Sequence, residues 1–199
     1  MFMKTVRWSV LLLLLVTSLP SLAAEVFLPR YPALSPDGQT VVFSFQGDLW
    51  SVSSQGGQAN RLTAHEAYDA HAVFSPDGTQ LAFASNRYGD DDIFIMPVSG
   101  GAPKRLTFAA SADRPSAFSP DGETIYFASR RLFEFPMGAQ IQQIPVSGGT
   151  PARLVDIFAD EVATHDGSTF IIAQGRVKPS RLYYRGSYQR ELDTWSQGN

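Results

Sequence analysis

The tetrapeptide Ser-Pro-Asp-Gly occurs at residues 35–38, 75–78 and 119–122, and no other feature of the chain limits its fold so strongly. Each copy is a tight-turn sequence: proline presets φ at the first corner, aspartate suits the second, and glycine accepts positive φ. His165-Asp166-Gly167 is a decayed fourth copy, so the turn aspartates stand at 37, 77, 121 and 166, spaced by 40, 44 and 45 residues. The apolar run after each turn starts at one offset. Val41, Leu81, Ile125 and Phe170 correspond, and two residues on so do Phe43, Phe83, Phe127 and Ile172. Gly-Gly pairs follow at 56–57, 100–101 and 148–149, then Arg-Leu at 61–62, 105–106 and 153–154. Three markers keeping one order define a repeat.

A period of roughly 40–50 residues, divided into short turn-bounded runs, is the signature of a β-propeller. A lone sheet of that size cannot bury both its faces and must stack on neighbours. Both faces of the post-turn strand are apolar here: Leu81 and Phe83 on one, Ala82 and Ala84 on the other. Burial on both sides fits a blade held between two blades better than a sandwich with one wet face, and the small set lets the next sheet approach. The expected fold is all-β, a β-propeller of about three and a half four-stranded blades forming an open arc. The expected blades cover 31–63, 70–107, 114–155 and an incomplete 160–195. The third carries a longer apolar loop after Ser129 (Arg130 to Gly138), and the fourth holds strands at 170–173 and 181–184. Because propellers close with typically four to eight blades, the chain reads as the N-terminal piece of a longer protein.

Residues 1–23 are of another kind. Lys4 and Arg7 precede an apolar stretch from Trp8 to Val16 with five consecutive leucines, followed by Ser21-Leu22-Ala23. A positive start, a short apolar core and a small-x-small site make a secretory signal peptide, with cleavage after Ala23 or Ala24. The core is shorter than the roughly 20 residues of a membrane span. The expectation is an exported protein, periplasmic or extracellular, with no membrane association after cleavage. The chain has no cysteine, which excludes disulfides, thiol catalysis and cysteine-ligated metals. A net charge of -3 lacks the basic excess of nucleic-acid binders.

Motifs for chemistry are sparse. His65 and His71 flank Glu66 and Asp69, which invites a metal; the plainer reading is a solvated connection between blades. Asp90-Asp91-Asp92 lacks the alternating ligands and terminal glutamate of a calcium loop and reads as a soluble hairpin tip. There is no Gly-x-Ser-x-Gly elbow and no Ser-x-x-Lys, the marks of common serine nucleophiles. Arg87, Arg130 and Arg131 follow strand ends, where pairing between blades or solvation accounts for them. No catalytic residue, metal or cofactor is expected in this chain. A ligand site, if the propeller has one, belongs at the ring centre on the first strand of each blade, near Tyr31, His71 and Arg114.

The set Ser-Pro-Asp-Gly, Leu-Ala-Phe-x-Ser-x-Arg, Asp-Ile-Phe-x-Met and Gly-Gly-x-Pro-x-Arg-Leu-Thr resembles the WD-like propeller repeat of TolB and of tricorn-type proteases, over about residues 31–195. In the TolB family a separate α/β domain precedes the propeller. Here Tyr31-Pro-Ala-Leu-Ser-Pro-Asp-Gly38 begins within ten residues of the leader, as it does in tricorn-like peptidases. Gly47-Asp-Leu-Trp50 resembles their first blade. Tyr184-Arg-Gly186 with Leu192-Asp-Thr-Trp195 resembles their fourth, Thr194 departing from the usual Asp-Ile-Trp. The resemblance implies a long exported serine peptidase whose nucleophile lies downstream of a second propeller and a PDZ-like domain. It also implies that the propeller serves as scaffold and guides peptides toward the catalytic chamber. Peptides or proteins are then the expected partners, and homo-oligomerisation of the parent stays open. A non-enzymatic TolB-like binding propeller and the propeller of a prolyl-oligopeptidase-like enzyme are the alternatives.

Overall fold

A computed structural model describes residues 28–131, 139–176 and 189–196. The leader at 1–23, most of the loop after Ser129 and the strand expected at 181–184 lie outside the described residues, as does the 184–186 segment of the tricorn resemblance.

Among the described residues every regular element is a strand, and the strands form four antiparallel sheets in sequence order. The first sheet holds β1 (Arg30–Leu34), β2 (Thr40–Phe45), β3 (Asp48–Ser53) and β4 (Asn60–Arg61). The second holds β5 (Asp69–Phe74), β6 (Gln80–Tyr88), β7 (Asp90–Pro97) and β8 (Lys104–Arg105). The third holds β9 (Asp113–Phe118), β10 (Thr124–Ser129), β11 (Gln140–Pro145) and β12 (Ala152–Phe158). A fourth sheet is three-stranded, with β14 (Thr169–Arg176) between β13 (Glu161–Thr164) and β15 (Gln189–Ser196). Every strand pairs with its neighbour in sequence, and the first strands β1, β5, β9 and β13 run side by side in succession. Radial sheets whose innermost strands adjoin are the blades of a partial β-propeller, an arc that does not close.

Each junction between blades has its own core, and the strand after the turn supplies both sides of it. Leu81 and Phe83 point back into the first junction, where they meet Val42, Leu49, Phe94 and Met96. Ala82, one residue away and on the other face, points forward to Ile125, Phe127 and Ile144 of the next blade. Phe170 and Ile172 repeat the backward contact against Tyr126, Ala128 and Ile141. Phe83, Phe127 and Phe170 are each fully buried, which stabilises by about 2–3 kcal/mol apiece through apolar burial. The alternation of large and small therefore sets the spacing of the blades.

The repeated tetrapeptide closes the link between β1 and β2, β5 and β6, and β9 and β10. In the second blade the Gly78 amide donates to the Ser75 carbonyl (2.9 Å), the Ser75 hydroxyl donates to Asp77 Oδ1 (2.6 Å) and the Thr79 amide donates to the same oxygen (3.0 Å). The Gln80 amide donates to Ser75 Oγ (2.9 Å). The first and third copies repeat these bonds. In the fourth, Thr164 takes the place of serine: its Oγ1 accepts from the Gly167 amide (3.0 Å), and Asp166 Oδ1 accepts from the Ser168 and Thr169 amides. The glycines have φ of 71–75°, a region that carries a steric cost for any side chain. They also abut the previous blade. A side-chain carbon built on Gly78 would stand 3.6 Å from the Pro36 ring, one on Gly122 3.6 Å from Pro76, and one on Gly167 3.5 Å from Pro120. Proline of one blade and glycine of the next thus form a ladder across all three junctions.

Ion pairs on buried aspartates tie the outer strands. Arg61 donates to Asp48, and Arg105 to Asp92 (2.6 Å), each aspartate sitting at the start of its blade's third strand. The Thr63 and Thr107 hydroxyls accept from the Leu49 and Ile93 amides (2.9 Å each) beside these pairs. Asp92 is therefore not part of a solvated tip: it is buried, Asp91 pairs with Arg114, and of the run only Asp90 is exposed. A second pair joins the first two strands of a blade, Arg87 to Asp69 (2.7 Å) and Arg131 to Asp113. Arg87 and Arg131 thus pair within their own blades, not between blades.

Candidate functional site: the axial cavity

The first strand of each of the first three blades carries one extra residue relative to its partner. The register slips between Arg30 and Ala33 in β1, between Ala70 and Val73 in β5, and at Ser116 in β9. Such bulges bend a strand and re-aim a side chain. In β1 and β5 the bulge falls on Tyr31 and His71, both with left-handed backbone, φ 52° and 54°. The matching residue of β9 is Pro115, whose ring forbids that conformation.

The re-aimed side chains face a cavity of about 850 Å³ on the concave side of the arc, between β1, β5, β9 and β13. Tyr31, His71 and Arg114 all line it. The Tyr31 and His71 rings lie 3.9 Å apart, centroid to centroid, tilted by 33°. Arg114 Nε donates to Asp91 Oδ2 across the junction between the second and third blades (3.2 Å). Arg130, Asp160 and Glu161 add charge to the lining, and Pro32, Val73, Val162 and Ile171 add apolar surface. Burial pushes the His71 pKa down, the Arg114 guanidinium pushes it further, and the Asp91 and Glu161 carboxylates oppose them. His71 is accordingly a neutral ring at neutral pH.

His65, Glu66, Asp69 and His71 do not converge. His65 Nδ1 accepts from the Ala67 amide (3.0 Å), Asp69 is buried against Arg87, and His71 faces the cavity. Asp69 is thus not solvated, as its place between blades suggested. Among the described residues no three metal-binding side chains gather in one place. The serines of the tetrapeptides are committed to their turns. The sequence gives no warning of the aromatic stack, because the bulges that create it leave no mark beyond an extra residue in an irregular strand.

Radial four-stranded blades, an Asp-Gly turn before each second strand and a mixed-charge cavity on the axis define a β-propeller of the WD-like kind. The chain belongs to the family of the tricorn protease N-terminal β-propeller domain, whose model matches residues 27–199. Tricorn protease homolog 1 of Streptomyces coelicolor is 40% identical over 76 residues, which are 38% of this chain and 7% of that protein. The crystal structure of the tricorn protease superposes with a TM-score of 0.64 at 19% identity, covering 75% of this chain and 15% of the other. TolB from Acinetobacter baumannii gives 0.62 at 22% identity, covering 84% of this chain and 40% of TolB. The two structural likenesses are likenesses of fold. The chain spans less than half the length of each of these longer proteins.

Proposed function

We propose that this chain is the N-terminal propeller portion of an exported tricorn-like serine peptidase, in which it acts as scaffold and peptide guide rather than catalyst. The observation that carries the reading is the axial cavity, in a chain of the tricorn propeller family. Its lining mixes apolar groups with charges of both signs, which suits extended peptides: backbone and side chains of many sequences find a partner, and no single pocket selects one. Export rests on the leader, whose charged start, leucine core and Ser21-Leu22-Ala23 site are complete. Among the described residues no helix is long and apolar enough to cross a membrane.

Peptide binding is tested by fluorescence anisotropy of labelled unstructured peptides titrated with the full chain. Saturable binding is expected, and Ala163→Trp, which fills the cavity from β13, is expected to abolish it. Binding untouched by that substitution would place the peptide elsewhere and sink the reading. The peptidase context predicts a second propeller, a PDZ-like domain and a downstream nucleophilic serine in the coding frame beyond Asn199. Fusion of the first 30 residues to alkaline phosphatase is expected to give activity only outside the cytoplasm.

A further inference from the structure

We infer that the Tyr31–His71 pair is an aromatic platform that takes an aromatic side chain of a peptide in the axial cavity. The inference deepens the peptide-guide reading and rests on it. Four observations carry it. Both residues hold left-handed backbone, φ 52° and 54°, which only glycine, asparagine and aspartate adopt readily. Strain of this kind persists where surrounding structure enforces it, and it clusters at binding sites. Both sit at a bulge of a central strand, so the strain has one geometric result: it turns two rings into one cavity. The rings stack at 3.9 Å, yet Tyr31 remains 41% exposed, leaving ring surface open to the cavity. Finally, the surroundings suit a neutral aromatic guest. Pro32 and Val73 supply apolar contact, and the uncharged His71 presents a ring without a competing charge. The Arg114 guanidinium, which acts on His71, is engaged with Asp91.

The pair joins the central strands of the first two blades and lies outside the three apolar junction cores. The third blade dispenses with it, placing Pro115 at the same position and keeping its bulge at Ser116. A ring pair needed for assembling blades would be expected at every junction.

The test uses fluorine NMR of the full chain with acetyl-Gly-(para-fluorophenylalanyl)-Gly amide, competed by its tryptophan and alanine counterparts. An upfield fluorine shift on binding is expected, displaced by the tryptophan peptide and poorly by the alanine peptide. Tyr31→Asn and His71→Asn keep a residue that tolerates left-handed backbone but remove a ring. Each is expected to weaken binding roughly three- to tenfold while the urea midpoint stays level or rises. Tyr31→Phe is expected to bind as the parent chain does. Equal binding of the alanine peptide, or full affinity in Tyr31→Asn, would overturn the inference while leaving the peptide-guide reading standing. A collapse of the urea midpoint in both asparagine variants would make the pair structural and overturn it too. Failure of every peptide to bind would remove both readings.

Discussion

Asp77 shows how one residue type serves architecture through charge. The Ser75 hydroxyl, the Thr79 amide and the Thr79 hydroxyl all donate to its carboxylate, and together they lower its pKa from 3.8 to about 2. Asp166 is lowered to about 2 by two backbone amides, and Asp37 and Asp121 shift the same way. The folded chain therefore prefers the ionised form more than the unfolded chain does. The stabilisation is complete above 3.8 and is lost as pH falls through the interval down to about 2. Asp77→Asn is expected to lower the urea midpoint at neutral pH and to flatten its decline between about pH 4 and 2, measured by circular dichroism. The turn is legible as a turn in the sequence because proline, aspartate and glycine each have a known backbone preference. What cannot be read there is Thr164, whose hydroxyl replaces the serine in the fourth copy; the absence of proline conceals the match.

At the scale of the strand, alternation and ion pairs make different contributions. Phe83→Ala is expected to cost about 3–5 kcal/mol, since it opens a cavity in a fully buried junction core. Ala82→Leu is expected to cost about 1–3 kcal/mol for the opposite reason: it pushes the third blade away from the second. Chemical denaturation measures both. The Asp92–Arg105 pair is nearly enclosed, and burial raises the Asp92 pKa against the pull of Arg105. Arg105→Ala leaves that carboxylate stranded and is expected to cost about 3 kcal/mol. Arg61, with 48% of its side chain exposed, is worth about 1 kcal/mol or less. A loss for Arg61→Ala equal to that for Arg105→Ala would refute the distinction. Large-small alternation was readable from Leu81 to Ala84 because strand geometry is periodic. The pairs were harder to see. Asp48 and Asp92 each precede their arginine by the same interval, as do Asp69 and Asp113, but an aspartate at a strand end also looks like a solvated tip. Only packing shows which it is. The left-handed Tyr31 and His71 lie further still from the sequence, since nothing local favours that backbone in either residue.

The whole molecule is an open arc. Leu34 lies opposite Val41 on the face of the first blade turned away from the first junction, and it is 59% exposed. An apolar residue on that outward sheet face favours contact between copies. Sedimentation of the full chain is expected to show concentration-dependent association, reduced by Leu34→Lys. A monomer at every concentration would contradict this. The ladder of prolines and glycines has a consequence for how such a molecule grows. Each junction joins the same two parts, a pyrrolidine ring in front and a bare backbone behind, whatever the adjoining cores contain. Any repeat bearing the tetrapeptide brings a standard plug and a standard socket. Duplication of a single blade can then lengthen the series with the same turn-to-turn joint, while the apolar core of each new junction must still be matched. His165 is where the standard fitting stops.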